Sequence, residues 1–334
     1  MRTAHVRLAI RTSGCIAWCL ALSVAAHYAR ANDDQPREGR RGGGELIVRA
    51  SEMSPGNPDR RFMGMVAIDP RTARWRTLYE GPEFGPLSPD SRYMLVSQFH
   101  PDLAEKKDGI WVYDLKGEKP PRRVFPRKGY PLWSHDGDKL VIAAEVSEKP
   151  DGGKNVSKFE TWLIDADGTG RTRLPIPDED YVLDCSRDDA WLATRTLGEG
   201  SDHWGRLTLV HPDGTGSRTL TEGSAKQNLF SIFKISPDSR SVAYVEVRVE
   251  KGVRKSRLFV VDIEGKHRRE LPVNFESDTS ALLCWSLDGS DLALGLINHA
   301  TKEGSIGLVD LAVGDFRKLT LPPGRWNLHL YDWR

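Results

Sequence analysis

Several things are scarce in this 334-residue chain. It has no surplus of one charge sign: 48 Lys and Arg stand against 47 Asp and Glu, a formal net charge of +1. That balance gives no reason to expect nucleic acid or an anionic membrane surface as the main partner. Cysteine is sparse at four residues, and two of these, Cys15 and Cys19, lie near the N-terminus. No apolar run reaches the roughly twenty residues a membrane-spanning helix needs. After residue 31 no convincing 3.6-residue apolar period appears, so helices are not expected. A Gly-x-Ser-x-Gly nucleophile elbow is also missing, which argues against a serine hydrolase domain.

The first 31 residues read as a cleaved Sec-type export signal. Arg2, Arg7 and Arg11 precede a mostly apolar stretch from Cys15 to Ala26, and Ala29-Arg30-Ala31 offers a small-x-small cleavage site. Cleavage after Ala31 removes four arginines and no acids, leaving 44 basic against 47 acidic residues, a net charge of −3. A periplasmic or secreted protein is expected, with no membrane insertion after cleavage. Residues 32–44, "NDDQPREGRRGGG", carry no apolar side chain to bury and are expected to form a disordered leader.

What the chain does contain is one phrase written five times. "LSPDSRYMLVSQ", "WSHDGDKLVIAAE", "CSRDDAWLATRT", "ISPDSRSVAYVEV" and "WSLDGSDLALGL" place serines at 88, 134, 186, 236 and 286. A period near fifty residues signals a repeat architecture. Ser and Asp side chains bond nearby backbone N–H groups, and the Gly, Ser or Asp after them tolerates a left-handed backbone. Each copy therefore reads as a tight turn between antiparallel strands, and not as one of five active sites. A third strand follows, as in "GIWVYDLKG" and "SRLFVVDIEG", and a short fourth, as in "RTRLP" and "RRELP". Four strands per fifty residues is the sequence form of a propeller blade.

Glu45 begins three strands with no turn or first strand before them, and "RWNLHLYDWR" at Arg325–Arg334 sits where the next first strand is due. The expectation is an all-β, six-bladed propeller over residues 45–334. Its blades are four-stranded and antiparallel, and the C-terminal strand completes the N-terminal blade. Cys185 and Cys284 then fall on non-adjacent blades, too far apart for a disulfide, and read as buried free thiols.

With these repeats in view, the chain resembles the TolB-like, WD40-like (PD40-type) β-propeller repeat family. The copies nearest its signature are Trp133-Ser134-His135-Asp136-Gly137, Ser236-Pro237-Asp238-Ser239 and Trp285-Ser286-Leu287-Asp288-Gly289. The resemblance spans Glu45 to Arg334 without the N-terminal domain of TolB, and it is specific for fold rather than function.

In such propellers the resemblance points to the face built by the loops joining strands two and three. Here those loops are 51–61, 99–108, 147–158, 198–205, 248–255 and 298–304. Long loops on a rigid scaffold are where binding usually sits. The candidate partner-binding residues are His100, His203, Trp204, Arg254 and His299. Trp204 offers a stacking face, and Arg254 belongs to the basic piece "RVEKGVRKSR". The histidines sit at unequal offsets from their turn serines, with no carboxylate repeating beside them. No metal ligands, catalytic residues or cofactor are therefore assigned. The expected function is a non-catalytic, monomeric binding platform for a protein or polysaccharide. The alternative is a metal-dependent, polysaccharide lyase-like enzyme with its site in the central funnel.

Overall fold

The computed structural model describes residues 43–52, 62–97, 108–148, 156–196, 206–222, 229–251, 253–275, 279–321 and 325–334. The proposed signal and all but the last two residues of the leader lie outside them. The described strands form six sheets, one per blade. Blade 1 contains β1 (Leu46–Glu52), β2 (Met63–Ile68) and β3 (Trp75–Glu80), and blade 2 contains β4 (Tyr93–Ser97), β5 (Ile110–Asp114) and β6 (Arg122–Phe125). Blade 3 runs through β7 (Gly129–Trp133), β8 (Lys139–Glu148), β9 (Val156–Asp165) and β10 (Thr172–Arg173). Blade 4 follows with β11 (Asp180–Cys185), β12 (Leu192–Thr196), β13 (Arg206–Val210) and β14 (Arg218–Glu222). Blade 5 is β15 (Leu229–Ile235), β16 (Ser241–Glu250), β17 (Val253–Asp262) and β18 (Arg269–Leu271). Blade 6 is β19 (Thr279–Trp285), β20 (Asp291–Asn298), β21 (Gly304–Asp310) and β22 (Phe316–Lys318). The last strand, β23 (Trp326–Trp333), returns to blade 1 and pairs antiparallel with β1, from Leu46↔Trp333 to Glu52↔Trp326. The ring closes as the repeat count requires.

The repeated turn has the chemistry its residues imply. Every turn serine is buried, and its Oγ donates to the carboxylate two residues on, at 2.5 Å in Ser88–Asp90 and 2.7 Å in Ser286–Asp288. The same Oγ accepts the N–H five residues on, as Trp191 N donates to Ser186 at 2.9 Å. The fourth residue of each turn is left-handed: Ser91, Gly137, Asp189, Ser239 and Gly289 have φ between 55° and 78°. That requirement explains the Gly, Ser or Asp found there.

Apolar side chains from the two sides of each blade pack against the neighbouring blades. Six main clusters result, one at each junction around the ring, including Leu46, Leu308, Leu328 and Trp333 where blade 6 meets blade 1. Nearest-neighbour packing of this kind lets a chain of this length bury its apolar residues without one large core.

Three details differ from the expectation. Blade 2 has three strands, and its first strand is reduced to a single bridge, Leu87↔Met94. Pro86 and Pro89 flank Leu87 and have no N–H to donate, so the ladder there is limited to Leu95 N–H to Pro86 O and Ser88 N–H to Tyr93 O. Segment 248–255 is no loop. It continues the β16–β17 ladder through Arg248↔Lys255 to Glu250↔Val253, with Lys251 left-handed (φ 52°) in a two-residue connection. Segment 298–304 is likewise a tight turn, in which the Asn298 side chain accepts the N–H groups of Ala300 and Thr301 at 2.9 Å each. Cys185 and Cys284 are free and buried, as expected, on blades 4 and 6. No described helix is long and apolar enough to cross a membrane.

Candidate functional site

The first strand of each blade is its innermost, so these strands line a central channel. Antiparallel order fixes which loops share an end. The second-to-third-strand connections stand at the end where the first strands begin. His100, His203 and Trp204 lie outside the described residues. Arg254 is on β17, and not on a loop as expected. His299 sits in the short turn after β20, half-buried. Arg254 and His299 therefore belong to neighbouring blades 5 and 6.

The described side chains that do converge at this end come from blades 3 and 4. Tyr130, second residue of β7, is 49% exposed, whereas Phe159 and Tyr181 beneath it are buried. The three rings form a triangle with centroids 5.3–5.8 Å apart. Each sits at the rim because it occupies the beginning of a first strand or of a third strand. The Arg195 guanidinium lies 4.8 Å from the centre of the Tyr181 ring and is held there by the pairing of Tyr181 with Arg195 across β11 and β12. Gly129 allows the close approach of β7 to β8, since a Cβ there would meet Ala143 O at 2.3 Å.

Asp180 begins β11 and is buried. Thr196 Oγ1 donates to its Oδ1 at 2.5 Å and Thr194 Oγ1 to its Oδ2 at 3.4 Å. Burial raises the Asp180 pKa, and the two hydroxyls partly offset that rise. Burial also raises the Tyr130 and Tyr181 phenols. Glu145 adds to the effect at Tyr130, and Arg195 opposes it at both. Both phenols therefore remain hydroxyl donors at neutral pH. A ring face, a guanidinium, the Tyr130 phenol and the exposed Glu145 carboxylate together suit stacking and hydrogen bonding to a ring-bearing ligand. Among the described residues, no group of three or more His, Cys, Asp or Glu is placed to hold a metal ion.

The sequence reading missed this cluster. A signal was present in "GYPLW" and "DYVLDC", where Tyr130 and Tyr181 both follow the first residue of a first strand. Their convergence depends on packing across a blade boundary, which no single repeat spells out.

No protein-family model matches the chain, and no characterised protein matches it in sequence. Solved structures do. A candidate TolB from Agrobacterium tumefaciens superposes with a TM-score of 0.55 at 16% identity, covering 87% of this chain and 99% of that one. An oligogalacturonate lyase in complex with manganese gives 0.52 at 16%, covering 78% and 71%. The oligogalacturonate lyase from Vibrio parahaemolyticus gives 0.52 at 15%, covering 83% and 79%. At these identities the likeness establishes the fold and nothing finer: the chain is a six-bladed β-propeller of the architecture seen in TolB-type proteins.

Proposed function

We propose that this protein is an exported, non-catalytic, monomeric β-propeller that binds a protein or another macromolecule through its second-to-third-loop face. The observation that carries this reading is Tyr130. A tyrosine half exposed on the innermost strand, backed by two buried rings and an arginine, is the anchor chemistry that binding faces favour. Export rests on the signal, with Arg2, Arg7 and Arg11 before its apolar stretch and the Ala29-Arg30-Ala31 site after it.

A photo-crosslinking residue placed at position 130, and separately at 287 on the opposite face, tests this in cells. Capture of a discrete envelope partner from 130 but not from 287 is expected. Tyr130→Ala should then weaken that partner's Kd by tenfold or more, about 1.4 kcal/mol, with the melting temperature unchanged. Equal capture from both positions would overturn the choice of face. Stoichiometric manganese in the purified protein together with cleavage of oligogalacturonate would replace the reading with an enzyme of the kind named for the lyase neighbours.

A further inference from the structure

The opposite end of the channel, where the Ser-x-Asp turns stand, holds a cavity of about 420 Å³ walled by all six blades. Its composition follows from the repeat. The residue two positions before each turn serine, or its equivalent in β23, faces this space. In ring order these are Asp332, Pro86, Leu132, Asp184, Lys234 and Cys284. Half of the ring is apolar or neutral. The remainder alternates in sign, with Lys234 between Asp184 on one neighbouring blade and Asp332 beyond Cys284 on the other side.

Lys234 Nζ donates to Asp184 Oδ1 at 2.7 Å, and the Ile235 N–H donates to Asp184 Oδ2 at 2.8 Å. Asp184 thus has both oxygens engaged, with its side chain 13% exposed. An ammonium has three protons, and the Lys234 side chain keeps a quarter of its surface open to the cavity. Asp184 first, and Asp332 after it, hold Lys234 protonated against the cost of burial. Asp332 accepts Trp333 N–H at 2.9 Å and Arg334 Nε–H at 2.6 Å, and 44% of its side chain stays exposed. The tryptophan N–H groups of this wall are already used, by Trp133 on Pro86 O and by Trp285 on Lys234 O, so the indoles present apolar faces. At the rim, Leu287 is 49% exposed, and Pro89 and Pro237 line the same mouth.

We propose that this mouth binds a small zwitterion with an apolar side group, the chemistry of a free amino acid or a dipeptide. The ligand carboxylate takes the remaining Lys234 protons, its ammonium meets Asp332, and its side group lies on Pro86, Leu132 and Leu287. A simple anion would face the Asp184 and Asp332 carboxylates, and a simple cation would face Lys234, Arg187 and Arg334. Only a ligand carrying both signs is complementary to an alternating arc. The cavity falls within the usual range for small-molecule sites.

Saturation-transfer NMR of the full chain with the twenty free L-amino acids and Leu-Leu provides the screen, with calorimetry on the best binder. Saturable binding is expected, at least tenfold weaker when the binder lacks its amine or its carboxylate. Leucine compared with 4-methylpentanoate and 3-methylbutylamine is the model set. Asp332→Asn should weaken binding by about tenfold. Lys234→Met alone would strand Asp184, so the paired Asp184→Asn/Lys234→Met variant is the second probe, and it should abolish binding in a protein that still melts cooperatively. Leu287→Arg covers the case in which that pair fails to fold, and it too should weaken binding. Tyr130→Ala should leave this binding intact, which separates it from the face proposed above. No saturable binding from any member of the screen, undiminished binding in the Lys234 pair, or equal binding of the three analogues would each overturn the proposal.

Discussion

His329 carries the clearest pH signature of any single residue. It stands on β23 next to Tyr331, with ring centroids 4.8 Å apart. Burial first, and the nearby Arg49 charge second, bring its pKa down to about 4. An unfolded histidine titrates near 6.5. The folded pKa is the lower of the two, so between about 4 and 6.5 the unfolded chain binds more protons. Stability should therefore fall as pH drops through that window and level off beneath it. The full span is worth on the order of 3 kcal/mol. Melting temperatures of the protein and of His329→Gln from pH 7.5 to 4 would show it. The two curves should draw together toward acid pH as the native cost of charging His329 is felt, and parallel curves would refute the assignment. The turn serines tell the complementary story about legibility. Ser88 through Ser286 were readable as turn formers because every partner their hydroxyls use lies within five residues.

At the scale of the element, the extended β16–β17 hairpin is where local reading failed. Its charged composition, Arg248 to Lys255, hid a period that Val245, Val247 and Val249 were already keeping. Strand formation there depends on a partner one blade element away, and charges on the solvent side do not oppose it. The base of the hairpin is fixed by Glu246, which is 2% exposed. Arg248 Nε donates to it at 2.9 Å and Arg268 Nη2 at 2.7 Å, while Arg268 Nε donates to the Tyr244 hydroxyl at 2.5 Å over the Phe259 ring. Glu246→Ala removes the acceptor from two guanidiniums. Both are more than a third exposed, so water partly replaces it, and the loss should be about 1–3 kcal/mol in chemical denaturation rather than the full cost of a buried broken pair. The Tyr130 cluster and the Lys234 arc were hidden for the same reason: each is made between blades. Within one repeat, Asp184, Lys234, Cys284 and Asp332 are unrelated residues at the end of a strand. Only superimposing the repeats reveals that they share one ring.

At the scale of the whole molecule, closure rests on β23. Trp326, Leu328, Leu330 and Trp333 pack between blades 6 and 1, each contributing roughly 1.5–3 kcal/mol by burial. The Arg334 guanidinium bonds the carbonyls of Leu87 and Ser88 on blade 2, where the first strand is thinnest. Deleting Arg325–Arg334 should therefore unfold the protein or drive it into oligomers through the bared edge of β1. Size-exclusion chromatography and a melting curve would report either outcome, and a truncated monomer with an unchanged melting temperature would contradict the closure. The same pairing sets a schedule for synthesis. β1 leaves the ribosome about 280 residues before the strand that covers it, and at roughly 5–20 residues per second that gap is on the order of a quarter to a full minute. For that interval one edge of β1 stays bare, paired with β2 on the other side only, because the strand that covers it has not yet been made, so the demand for a holding chaperone is written into the order of the blades.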